Sequence, residues 1–591
     1  MKSFFKSVLS TIVGVLVSSL IIAVIGILIL LGFIGIMFKG SSESYSLKDN
    51  TVLTIRLSGI MKDRVTPNPI YDYLDIGGDP EIGLTDILSA IQKAKDNDKI
   101  KGIYIHSGYF TAPSASLLEI RNALLDFKSG GKFIISYADN YLQNGYFLSS
   151  VSNTVIMNPQ GALDLHGLSV KPTFYKGLLD KVGIEMQIFK VGTYKSAVEP
   201  YMLDKMSEAN RQQVTAFADD IWATMLKEIS TSREIPTDRL NQLTDTLPAF
   251  RASSFVIENK LADTLMYETG VKEYLKALLH VSSTDDIHLA TVDNMQSVED
   301  NKSGTFDDQI AVLYAEGSIV SGNSSSDIND RYLIRQIEKL KDNEDIKAVI
   351  FRINSPGGSA YASEQIWKAI TDLKSSKPVI VSMGGYAASG GYYIASNATK
   401  IFAQPNTLTG SIGIFGMFPN TAGLTDKLGL TFDGVKTNKF SDFGDITRPM
   451  SSEEKDVLQQ YINKGYDLFL TRCSEGRNIP KEDMAKIAEG RVWTGNQALK
   501  IGLVDAIGGI DDAIKEAAKL SNLTDYTVHE YPRKPGPFDT FLNTRKDQLA
   551  TRILKEYLGS DFQLLQTIKD IKNLKEQDFI QARMPYEIDL Q

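Results

Sequence analysis

Residues 384–391 read GGYAASGG, with one hydroxyl, Ser389, at the centre of a small-residue run. The apolar segments on either side, KPVIVSM and YYIASNATKIFAQP, predict a strand, a tight turn and a helix, with Ser389 where backbone approaches closely. A serine there is a candidate nucleophile, but its hydroxyl needs a proton acceptor. Acyl transfer also needs N–H donors aimed at the developing oxyanion, and glycine brings backbone close to a substrate with no Cβ in the way. Gly390, directly after the serine, is one candidate donor. Gly358 is the other, in the loop NSPGGSA (354–360), which follows a strand and leads into a helix.

The proton acceptor is harder to find. Histidine is the usual one, yet none of the five histidines (His106, His166, His280, His288, His529) is adjacent to the glycine-rich run. A lysine can serve if it is buried, because its pKa near ~10.4 must fall by about three units, a differential cost of about 4 kcal/mol. The segment GTYKSAVEP (192–200) places Lys195 just after the strand-like EMQIFKV. Lys439, in VKTNKFSDF, holds the matching position in a second copy of the same pattern, and spacing alone leaves both open.

That second copy is part of a tandem duplication. DNDKIKGIYIHSG resembles DNEDIKAVIFRIN, GGKFIISYADNYLQNGYFLSSVSNTVIMNPQG resembles SSKPVIVSMGGYAASGGYYIASNATKIFAQPN, and ENKLADTL resembles ALKIGLVDAI. Within each copy, β-branched runs alternate with segments of helical period, which implies right-handed crossovers and a largely parallel sheet. The expected organisation is an N-terminal stub and anchor (1–40), a first α/β repeat (41–281), a polar linker (282–309), a second α/β repeat (310–525) and a C-terminal extension (526–591). The copies differ where chemistry would occur: Ser389 falls on Gln143, and GYFTAPSA replaces the Gly-Gly loop. The first copy thus lacks both the hydroxyl and the oxyanion loop.

Composition narrows the classes. With 591 residues, 43% hydrophobic and 23% charged, the chain is ordinary for a folded protein of two or more domains. A net charge of -9 argues against nucleic acid as a partner. No HExxH motif, Cys/His cluster or GxxxxGK[ST] loop is present, so neither metal, ATP nor another cofactor is expected. The single Cys473 cannot form an internal disulfide.

From Ser7 to Phe38 no residue is charged, and the apolar stretch 8–38 is long enough to cross a bilayer. A cleaved signal peptide would need an apolar region of only about 7–15 residues. One transmembrane helix is therefore expected. Lys2 and Lys6 before it favour a cytoplasmic N-terminus, with the later residues on the opposite side of the membrane.

The segments MGGYAASGGYYIA, TLTGSIGIFG, VGTYKSAVEP and GRVWTGNQALKIGLVD together resemble the long, tandem-repeat form of the signal peptide peptidase A family, also called protease IV. The resemblance runs from the N-terminal anchor to about residue 520. It implies tandem α/β domains of the Clp protease and crotonase type and a serine/lysine dyad, with Ser389 from the second copy as nucleophile and Lys195 from the first as general base. It further implies that Ser411, in TGSIG, orients the lysine. The implied setting is a homotetramer anchored to the outer face of a bacterial inner membrane, cutting apolar peptides such as remnant signal peptides. Two rival readings remain: a crotonase-type acyl-CoA enzyme, which also uses paired backbone N–H groups, and a non-catalytic membrane scaffold.

Overall fold

The computed structural model describes residues 45–65, 80–282, 287–299, 306–322, 327–534 and 580–584, with scattered positions between 13 and 26. The segment 8–38, expected to span a membrane, lies outside the described residues apart from those positions. Among the described residues, no helix is long and apolar enough to cross a membrane.

Each copy builds a parallel sheet in the same way. In the first, the strands run in the order Glu81–Gly83, Thr51–Lys62, Ile100–Thr111, Phe133–Ala138, Thr154–Met157 and Thr264–Leu265. In the second, the matching strands are Gln309–Glu316, Ile346–Ser355, Val379–Ala388 and Lys400–Ala403, again parallel. Ile346–Ser355 is buried along almost its whole length because helices cover both faces, which is why IKAVIFRI reads as a continuous apolar run. The helix Ala360–Lys374 shows the complementary pattern. It buries Ala362, Ile366, Trp367, Ile370 and Leu373 at helical spacing, and the Ser359 side chain accepts the Ala362 N–H at its start.

Segments following each copy add to these sheets. His288–Thr291, within the predicted linker, pairs in parallel with Thr51–Lys62. Thr527–Tyr531, after the predicted second repeat, pairs in parallel with Gln309–Glu316.

A third sheet, of six strands, joins the copies. Its order is Ile328–Asn329, Ile319–Val320, Gly357–Ser359, Ile580–Arg583, Phe415–Asn420 and Glu185–Lys190. The last strand comes from the first copy and pairs antiparallel with Phe415–Asn420 of the second, from Phe415↔Lys190 to Asn420↔Glu185. That pairing carries the chain directly into the segment containing Lys195.

A buried charge cluster locks the same junction. Arg352 donates through Nε and Nη2 to Asp63, both at 3.0 Å, and through Nη2 to Glu119 at 2.8 Å. Glu119 also accepts the Ile510 N–H at 3.1 Å. All three charged side chains are almost fully buried, so their mutual satisfaction is what makes the cluster tolerable.

Candidate active site

Ser389 sits between the strand Val379–Ala388 and the six-residue helix Gly390–Ala395. Its backbone has φ 56 and ψ -112, a sparsely populated conformation for a residue with a Cβ. Two hydrogen bonds hold it there: its N–H donates to Gly410 O at 2.8 Å, and its carbonyl accepts the Tyr393 N–H at 2.8 Å. The hydroxyl is thereby presented at a sharp strand-to-helix turn, fully buried.

Lys195 reaches that hydroxyl from the first copy. Its Nζ lies 2.7 Å from Ser389 Oγ, and 3.2 Å from both the carbonyl oxygen and Oγ of Ser411. Ser411 Oγ in turn donates to Gly490 O at 3.2 Å, which fixes its orientation. The lysine is fully buried, and desolvation alone holds its ammonium well below the ordinary lysine range. As an ammonium, Nζ donates to Ser389 Oγ; as the neutral amine, it can accept the serine proton instead.

The lysine is seated by backbone. Tyr194 N–H donates to Glu489 O at 3.0 Å, and Gly490, at φ +78, lies so close that a Cβ there would come within 2.6 Å of Lys195 Cβ. Gln213 ties the copies together here. Its Nε2 donates to Tyr194 O at 3.0 Å and to Ser196 Oγ at 2.9 Å, while its Oε1 accepts the Val492 N–H at 3.1 Å. Nothing in the sequence pattern singles out Gln213, because it is one polar residue on a long helix.

The glycine loop closes the other side. A Cβ on Gly390 would lie 3.2 Å from Gly357 Cα, so the turn after Ser389 and the Gly-Gly loop pack backbone to backbone. Gly357, at φ +100, makes that approach, a role the sequence did not distinguish from that of Gly358. Gly358 pairs with Ile319 on one side and Ala582 on the other. The structure therefore brings together Ser389, Lys195, Ser411, Gly390 and the Gly357–Gly358 loop.

Lys439 is elsewhere. It is exposed, ion-paired with Glu453 and near the Phe440 ring. In the first copy, the position matching Ser389 is filled by the Gln143 amide, whose Oε1 accepts the N–H groups of His166 and Gly167 at 3.1 and 3.0 Å. Its Nε2 donates to Gly167 O at 3.1 Å. That side chain is fully used in tying down its own loop.

This arrangement on two Clp-protease-like α/β repeats defines the chain as a serine peptidase. The model of Peptidase family S49 matches residues 126–282 and again 371–524, and the Clp protease model matches 301–409. The chain is 35% identical to Protease 4 of Haemophilus influenzae over 84% of this chain and 83% of that one. It is 34% identical to Protease 4 of Salmonella typhi, over 88% and 86%, and 32% identical to the chloroplastic serine protease SPPA of Arabidopsis thaliana, over 81% and 70%. The chain belongs to Peptidase family S49, as a tandem-repeat serine protease of the signal peptide peptidase A type.

Proposed function

We propose that Ser389 is the nucleophile and Lys195 the general base of a membrane-anchored endopeptidase that degrades apolar peptides, remnant signal peptides among them. The 2.7 Å approach of Lys195 Nζ to Ser389 Oγ carries this reading. Neutral Lys195 takes the serine proton as Oγ attacks the scissile carbonyl, and the Gly390 and Gly358 N–H groups receive the oxyanion. The lysine then gives its proton to the leaving amine, and water hydrolyses the acyl-enzyme. Ser411 positions the lysine through its two contacts.

The domain division at 40, 281, 309 and 525 belongs to the same proposal. So does a single span through 8–38, with the N-terminus cytoplasmic and both repeats on the periplasmic side of a bacterial inner membrane. The uncharged N-terminal stretch supports it.

A homotetramer is supported by an unpartnered apolar segment. The second-copy counterpart of the Lys195 segment exposes Leu430, Phe432, Val435 and Phe440, with Val435 99% exposed. In the first copy the equivalent segment is covered by Phe415–Asn420. A neighbouring molecule using its own first copy in that way makes a head-to-tail contact, the kind from which a four-fold ring is built when its rotation closes.

The test is cleavage of a short apolar peptide by the fragment beginning near residue 41, with Ser389→Ala as control. Turnover by wild type and none by the variant is the expected result. Equal turnover by both overturns the assignment.

A further inference from the structure

Lys195 sits between two segments, and one side chain bonds to both. The first is its own segment, where Gln213 Nε2 lies 3.0 Å from Tyr194 O and 2.9 Å from Ser196 Oγ. The second comes from the other copy, where Gln213 Oε1 accepts the Val492 N–H at 3.1 Å. That second segment also carries Ser411: the Ser411 N–H donates to Arg491 O at 2.7 Å, and the Gly490 N–H donates to Ile412 O at 2.8 Å. One amide therefore sets the lysine relative to the serine that its Nζ contacts. The task needs a donor and an acceptor on one planar group, and glutamine supplies both.

Gln213 is itself held from behind. Its Nε2 also lies 3.1 Å from Asn210 Oδ1, and Asn210 Nδ2 donates to Glu199 Oε2 at 2.8 Å. Glu199 is a buried carboxylate that further accepts the Ser207 hydroxyl at 2.5 Å and the Ser207 N–H at 3.2 Å. Its own N–H donates to Ser196 O at 3.0 Å, which returns the network to the residue after Lys195. A buried polar network satisfied in this way is rigid.

The duplication supplies an independent comparison. Asn210 and Gln213 are the third and sixth residues of the helix Glu208–Arg233, which follows the cap serine Ser207. The matching helix, Ser452–Arg477, follows Ser451 and has Glu454 and Val457 at those places. A valine side chain makes no hydrogen bond, Val457 is exposed, and Glu454 is turned to Arg448. The clamp thus belongs to the copy whose lysine meets the serine, and the copy whose lysine stands outside lacks it.

We propose that Gln213 is a positioning residue for the reaction, clamping the Lys195 segment to the Ser411 segment with Glu199 as its anchor. The proposal rests on the dyad reading above. Gln213 touches no reacting atom, so its whole contribution passes through the place of Lys195 Nζ.

A double-mutant cycle on the full chain in detergent tests it, read by peptide turnover and by the rate at which a fluorophosphonate labels Ser389. Gln213→Met keeps the volume and loses the bonds to both segments. It should lower kcat by about 10²-fold, the cost of a displacement of about 1 Å, and leave KM within about threefold. Placed on Lys195→Ala, which has no amine left to aim, the same substitution should change neither rate by more than about threefold. Asn210→Ala, which frees Gln213 from Glu199, should act in the same direction, less strongly, and again only while Lys195 is present. A further loss of about 10²-fold in the Lys195→Ala background overturns the proposal, because Gln213 would then support the site as a whole. A rise in KM with kcat unchanged overturns it too. If Lys195→Ala is dead while Gln213→Met and Asn210→Ala match wild type, the clamp alone fails; if Lys195→Ala turns over peptide like wild type, the dyad itself has failed.

Discussion

Lys195 and Ser389 are 194 residues apart in the chain and 2.7 Å apart in space. The two copies have divided one site between them. The first has Gln143 where the second has the hydroxyl, its amide bracing its own loop, and it supplies the lysine across the junction strand Glu185–Lys190. The second keeps the serine and glycine loop, and its own lysine stands exposed beside Glu453.

Replacing the lysines one at a time separates these roles. Lys195→Ala removes the proposed proton acceptor and should lower kcat by about 10²–10⁴-fold. Lys439→Ala, exposed and remote from Ser389, should leave most of the activity. Peptide hydrolysis by both variants decides it: a dead Lys439 variant beside an active Lys195 variant would move the dyad into one copy.

The pH profile follows from burial. In the proposed dyad Lys195 acts only as the neutral amine, and desolvation holds its folded pKa well below 10.5. Activity should therefore rise with pH along a limb centred well below that value. The same shift carries a stability cost. Between the lowered folded pKa and 10.5 the unfolded chain binds a proton that the folded chain does not, so stability rises with pH through that window. Lys195→Met should resist urea better than wild type at pH 7, with the difference shrinking towards pH 10.5. A difference independent of pH would mean that the lysine titrates alike in both states.

Much of this was readable because duplication supplies its own comparison. Setting Ser389 against Gln143 exposed which copy holds the hydroxyl, whereas Lys195 and Lys439 stayed open by spacing and are separated only by the folded chain. The strands and helices around them declared themselves by period, as IKAVIFRI and the Ala360–Lys374 helix show. What stayed hidden depends on contacts between distant segments. Gln213 acts through two loops brought to it only in the folded chain. Ile580–Arg583, four residues in a polar region, acquires meaning only from the two strands that it joins. Arg352 gives no sign in sequence of the two carboxylates waiting in the other copy.

That arginine offers a test of how the copies are held. Arg352→Ala leaves Asp63 and Glu119 buried without their cation and should cost about 3–5 kcal/mol of stability. Adding Asp63→Asn and Glu119→Gln to the same chain removes the stranded charges and should recover much of the loss. Urea denaturation of the single and triple variants measures both. A triple variant no more stable than the single one would show that packing, not charge, dominates the junction.

Gly490 is where the seating of the lysine can be tested without touching either reacting group. It adopts φ +78, and an added Cβ would lie 2.6 Å from Lys195 Cβ and 2.7 Å from Lys195 N. Neither of those atoms is at the flexible end of the side chain, so the lysine segment as a whole must shift. Its carbonyl also accepts from Ser411 Oγ, so the shift reaches both contacts that aim Nζ at Ser389. A displacement of about 1 Å at such a site costs about 10²-fold in rate. Gly490→Ala should therefore lower kcat by about that factor, while KM changes little because the shift falls on the Lys195 segment and not on the Gly357–Gly358 loop. If KM rises and kcat holds, Gly490 serves peptide binding and not the alignment of Lys195.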